Sequence, residues 1–134
     1  MKKILIIALV IILGLLSYIY VFKTEETEIK LPSAENIVEI KISRKNVDNN
    51  IKYDKPEDIA KIIEDFQTMI KTKQDSISDA PNVPDWFLIK FVHKTGGESN
   101  LYVYEKEDVY YIEQPYEGIW ILEKNPQTWL EGQD

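Results

Sequence analysis

A Ser-His-Asp or Cys-His catalytic set needs a base of near-neutral pKa, and this chain holds a single histidine and no cysteine. His93 lies late in the run Trp86 to Lys94, where alternation places it on the face of Phe87, Ile89 and Phe91. It therefore reads as a histidine at the edge of a core rather than a catalytic base. The lack of cysteine excludes a thiol nucleophile, a disulfide framework and a zinc–thiolate centre. Scattered carboxylates around one histidine show no metal-ligand spacing, so neither a metal nor a cofactor is expected. Paired carboxylates remain: Glu113 with Glu117, or Asp75 with Asp79, would suit glycoside hydrolysis at separations of about 5–10 Å. A chain with 23 acidic residues generates such pairs by chance. Asp79, two residues before Pro81, and the nearby Ser76 and Ser78 also fit local turn hydrogen bonding. The expectation is a non-enzyme, with a wall-glycan-cleaving enzyme using surface carboxylates as the alternative.

The most distinctive segment is Tyr110 to Trp120, YYIEQPYEGIW, which gathers four aromatic residues about one turn. One reading is architectural: Tyr110 or Tyr111 packs on a helix, Pro115 and Gly118 shape the turn, and Tyr116 caps a sheet edge. The other is a recognition surface, with Tyr102, Tyr104, Tyr110, Tyr116 and Trp120 exposed beside Glu113 and Glu117. Rigid aromatics with polar tips give large contact area at low entropy cost. The partner-binding residues expected on that reading are Tyr110, Glu113, Tyr116, Glu117 and Trp120, with Asp79 from the preceding loop.

These residues must be positioned by an α+β domain. Asn36 to Ser43 alternates with Val38, Ile40 and Ile42 on its apolar face, a half-buried strand, and Ile51 to Tyr53 offers a short partner. A helix starts at Lys55-Pro56-Glu57, proline being tolerated in a first turn, and Asp54 with Glu57 resembles a capping box. Its apolar stripe is Ile59, Ile62, Ile63, Phe66, Met69 and Ile70, while Lys61, Glu64, Asp65, Gln67 and Lys71 point away. Residues 72–85 lack periodicity and contain two prolines, a long loop of the kind that is often functional. Four strands follow: Trp86 to Lys94, Asn100 to Glu105, Val109 to Glu113 and Ile119 to Leu122. A helical turn then carries Trp129 and Leu130. The expected architecture is one amphipathic helix packed on an antiparallel four- to five-stranded β-meander.

Ahead of this domain, Ile4 to Phe22 runs for nineteen residues without a charge. At about 1.5 Å per residue that crosses a hydrocarbon core of about 30 Å. Lys2 and Lys3 precede it and Glu25, Glu26 and Glu28 follow, so the positive-inside bias puts the N-terminus in the cytoplasm and the domain outside. A cleaved signal peptide would need a shorter apolar run and a small-residue cleavage site, and neither is present. The expected organisation is a single-pass anchor at 1–23, a tether at 24–35 and an extracytoplasmic domain at 36–134. Net charge is −7 overall. Beyond the anchor, thirteen basic residues face 23 acidic ones, a formal charge near −10. Such a surface repels phosphate backbones, so nucleic-acid binding is not expected.

The anchor, the helix preceding Ser76-Ile77-Ser78-Asp79-Ala80-Pro81, and Tyr111-Ile112-Glu113-Gln114-Pro115-Tyr116-Glu117-Gly118-Ile119-Trp120 together resemble an uncharacterised family. Its members are small membrane-anchored extracytoplasmic proteins of low-GC Gram-positive bacteria carrying a domain of unknown function. The resemblance covers about residues 31–123 and implies location and fold but no catalytic residue. The functional expectation is a membrane-anchored module recognising a protein partner at the cell envelope, an immunity or inhibitor role being one version. An envelope sensory or accessory protein is a further alternative.

Overall fold

The computed structural model describes residues 1–21 and 29–132. Helix α1, Lys2–Val21, is long and apolar enough to cross a membrane, and its Lys2–Tyr20 span is not buried by the domain. Phe22 and the first half of the expected tether lie outside the described residues. Its second half lies on the domain instead of spacing it: Ile29, Leu31 and Ala34 pack against the core.

The chain then builds β1 (Ile37–Arg44), β2 (Asn50–Tyr53), α2 (Pro56–Phe66), β3 (Met69–Lys71), β4 (Phe87–His93), β5 (Glu98–Lys106), β6 (Val109–Gln114), β7 (Gly118–Leu122) and the short α3 (Gln127–Leu130). The sheet has seven strands in the order β2-β1-β4-β5-β6-β7-β3, all neighbours antiparallel, rather than four or five. The meander β4 to β7 forms its centre, the β1–β2 hairpin extends one side, and β3 closes the other.

Helix α2 buries Ile59, Ile62, Ile63 and Phe66 against the sheet. Each such side chain is worth about 1.5–3 kcal/mol of transfer free energy. The opposing layer is Ile40 and Ile42 of β1, Ile89 and Phe91 of β4, Leu101 and Val103 of β5, and Ile112 of β6. Phe66 meets Phe91 edge-on at 6.1 Å and Trp129 at 5.4 Å.

Four further expectations are corrected. The helix stops at Phe66, and Met69 and Ile70 belong to β3, paired with Leu122 and Ile121 of β7. Both readings put Met69 on the core side, which is why periodicity did not separate them. Asp54 does not cap α2: the N-cap is Lys55, with no side-chain hydrogen bond, and Pro56 opens the helix. Asp65 does not point to solvent. It is buried, with Oδ2 accepting from Trp129 Nε1 at 3.0 Å and Oδ1 from Lys124 Nζ at 3.1 Å. In β1, the register shifts between Ile37 and Glu39, so Ile37 is buried and Val38 exposed, reversing the expected faces at that end.

Candidate functional site

The register fixes which aromatics can meet. Ile112 pairs with Val103 and Trp120 on the helix side of the sheet, so alternation sends Tyr111 and Glu113 to the opposite side. There Tyr104 stacks on its cross-strand partner Tyr111 at 5.5 Å, and Trp86 meets Tyr102 edge-on at 5.0 Å. This second face is roofed in part by the 72–85 loop. Between loop and sheet lies an open cleft of about 230 Å³, walled by Ile77, Asn82, Tyr104, Tyr111, Glu113 and Ile119.

One serine joins loop to sheet. Ser76 is buried; its Oγ donates to Glu113 Oε1 at 2.8 Å and accepts from the Tyr116 N–H at 3.2 Å. The loop is thus pinned at its centre to the β6–β7 turn. Thr72 continues the β3 ladder, its N–H donating to the Ile119 carbonyl at 3.0 Å. Further along, Asp79 Oδ1 accepts from the Tyr116 hydroxyl at 2.7 Å. That bond raises the Tyr116 phenol above its ordinary range.

The turn itself is strained. The Glu117 N–H bonds the Gln114 carbonyl across Pro115 and Tyr116, with Tyr116 at φ 63°. This is the type II pattern, in which the third position usually falls to Gly or Asn. A tyrosine there costs about 1–2 kcal/mol, and its bonds to Ser76 and Asp79 hold it in place. Gly118 follows at φ 157°, and a Cβ there would meet the Lys71 amine and the Trp120 ring.

Of the expected partner-binding residues, the structure brings Asp79, Glu113 and Tyr116 into one network, with Glu117 beside them on the turn. Glu113 is buried and faces Ser76, while Glu117 is exposed and pairs with Lys30 at 3.5 Å. The two carboxylates are engaged with different partners rather than with each other. Trp120 and Tyr110 face the other way. Trp120 is 3% exposed in the core, with Lys71 Nζ 4.9 Å from its ring centroid, and Tyr110 packs partly against that core opposite Leu122. Trp120 is therefore not exposed as the recognition reading expected, and Tyr110 is only partly so. Tyr104 is also buried, and burial followed by the Glu113 charge pushes its phenol up to about 12. Two further residues complete the corner: Ser76, expected to bond locally in the loop but bonded instead to Glu113 and Tyr116, and Ile77, missed in the sequence, which is 84% exposed next to it. A serine between two loop acids gives no sign of its burial. His93 sits at the edge of the core as read, its Nε2 2.8 Å from Ser99 Oγ. Among the described residues, no group of three or more His, Asp or Glu side chains is placed to hold a metal ion.

The family model DUF5301, described as a domain of unknown function (DUF5300), matches residues 25–121. The chain belongs to this family. The DUF5301 match ends before α3, so it contains Ser76, Glu113 and Tyr116 but not Trp129 or Lys124. The DUF5301 chain is also similar to the NMR structure of a protein from Ruminococcus gnavus. The two are 36% identical with a TM-score of 0.60, over 71% of this chain and 91% of that one. No curated protein matches.

Proposed function

We propose that this DUF5301 domain is an extracytoplasmic binding module, held at the cell membrane by α1, which recognises a protein partner through the corner formed by the 72–85 loop and the β6–β7 turn. The carrying observation is the pairing of display with rigidity. Ile77 and Tyr116 are 84% and 66% exposed, yet both adjoin the buried Ser76–Glu113 bond. Apolar side chains held outward from a fixed backbone lose little entropy on binding and serve as interface anchors. Asp79 and Glu117 add a polar, acidic rim. The positive-inside bias of Lys2 and Lys3 supports an outside location. An immunity or inhibitor-like role against a secreted protein is one version.

The test is cross-linking in intact cells with the full chain and an Ile77→Ser/Tyr116→Ser variant of matched thermal stability. A partner captured by the native chain and lost with the variant supports the corner as the site. Identical capture by both, or none, rejects it. Location is checked separately: the chain has no cysteine, so Thr95→Cys is a unique label site. It should react with a membrane-impermeant maleimide applied from outside; labelling only after lysis would reject the topology.

A further inference from the structure

Strand β5 is longer than its neighbour. Its pairing with β4 ends at Phe87 and Val103, while its pairing with β6 continues to Lys106 and Val109. Tyr104, Glu105 and Lys106 therefore have a strand on one side only. The direction of the free groups follows from the ladder. The His93 N–H donates to the Gly97 carbonyl, which makes that pair a hydrogen-bonded one. With a period of two, residues 99, 101, 103 and 105 turn their N–H and C=O toward β4. At 105 β4 has already ended, so the Glu105 peptide groups point into open space.

That space is a groove of about 390 Å³ at the end of the sheet, separate from the Tyr116 corner. Its apolar wall is Trp86, Phe87, Tyr104, Tyr110 and Leu130. Its rim is acidic: Asp85, Glu105, Glu107, Asp108 and Glu131. The one basic residue in the lining, Arg44, shows how a cation is held there. Its guanidinium binds Asp85 through Nε at 2.9 Å and sits 5.3 Å from the centroid of the Phe87 ring. Glu105, Glu107, Asp108 and Glu131 make no ion pair among the described residues. Glu107 and Asp108 form the two-residue β5–β6 turn with φ of 54° and 62°, positions that favour Asn and Gly.

We infer that this groove accepts an extended, lysine- or arginine-bearing peptide segment of another protein, which adds a short strand to the free edge of β5 at Glu105. Main-chain bonds to Glu105 would set the register, alternate apolar side chains would rest on the aromatic wall, and the basic ones would meet Glu107, Asp108 and Glu131. The charge of the domain beyond the anchor, near −10, favours the approach of such a segment. This site does not depend on the Tyr116 corner.

The test uses the full chain in phosphatidylcholine nanodiscs and a synthetic peptide, acetyl-Val-Lys-Val-Lys-Val-Lys-amide. Binding should change Trp86 fluorescence and slow hydrogen exchange of the Glu105 amide. Glu107→Gln/Asp108→Asn, which suits the positive φ at 108, should weaken binding about tenfold, two exposed ion pairs being lost. Glu57→Gln/Glu64→Gln on the outer side of α2 removes equal charge and should leave the affinity within about twofold. A peptide N-methylated at its central residues should lose binding. No binding up to about 1 mM peptide overturns the inference. Equal weakening by both charge variants reduces it to bulk electrostatics and overturns it. Full binding of the N-methylated peptide, or an unprotected Glu105 amide, overturns the strand addition.

Discussion

Replacing Ser76 with alanine removes one oxygen and isolates two partners. The Ser76–Glu113 bond is 2.8 Å long and buried, and the Tyr116 N–H reaches the same oxygen at 3.2 Å. A hydrogen bond to a carboxylate contributes about 1.5–3 kcal/mol, and the longer, part-exposed one adds about 0.5 kcal/mol. Ser76→Ala should therefore cost about 2–3 kcal/mol. For a domain near a hundred residues that lowers Tm by about 10 °C. The assay is thermal unfolding of the full chain in detergent micelles, followed by near-ultraviolet circular dichroism. Amide exchange across 74–80 should rise in parallel as the loop detaches. Glu113→Gln, whose amide carbonyl still accepts from Ser76, should cost less, and the double variant should cost less than the two singles combined, as coupled neighbours do. A Tm change under about 2 °C for Ser76→Ala would refute the claim that this serine pins the loop.

Asp65→Ala should destabilise by about 2–3 kcal/mol in urea unfolding, because it strands the buried Trp129 N–H and ends the Lys124 pair. Tyr104, pushed up to about 12, stays protonated after the tyrosines of the unfolded chain ionise near 10. The folded state then binds the extra proton, so stability should fall as pH rises from about 10 to about 12, and Tyr104→Phe should flatten that fall in pH-dependent melts. Gly118→Ala should cost about 1–3 kcal/mol by the same unfolding assay, because alanine is strained at this φ and displaces the Lys71 amine from the Trp120 ring.

The elements with uninterrupted patterns were legible in the sequence. β4 to β7 fall within two residues of their expected ends, and α2 opens at its proline. Failures came where a single period served two geometries. Met69 follows Phe66 at helical spacing and also sits on the core side of a strand, and only the pairing with Leu122 decides between them. Val38 alternates correctly with Ile40, but the bulge beside it is a property of the β1–β4 pair and not of β1 alone. The candidate site was legible in composition and not in direction. Alternation guaranteed that Tyr110 and Tyr111 face opposite sides, without saying which side α2 covers. Trp120 went to the core for the same reason, opposite Ile112. Asp65 looked like a surface acid because its partners, Lys124 and Trp129, lie some sixty residues away.

The strand order has a consequence for when this domain can fold. β3 is held in the sheet only through β7, and β1 reaches its inner neighbour only when β4 exists. Trp129, almost the last described residue, packs on Phe66 and bonds Asp65 at the end of α2. A chain emerging N-terminus first therefore meets α2 with its seat unfinished and β3 with no partner until residues 118–122 arrive. Contacts this distant make slow, late-closing topologies. The half-made domain shows an unpaired strand edge and the apolar face of α2 for most of its synthesis. Truncation ahead of Gly118 would leave it in that condition permanently, so degradation of such products, more than loss of any surface, should mark nonsense variants that remove β7.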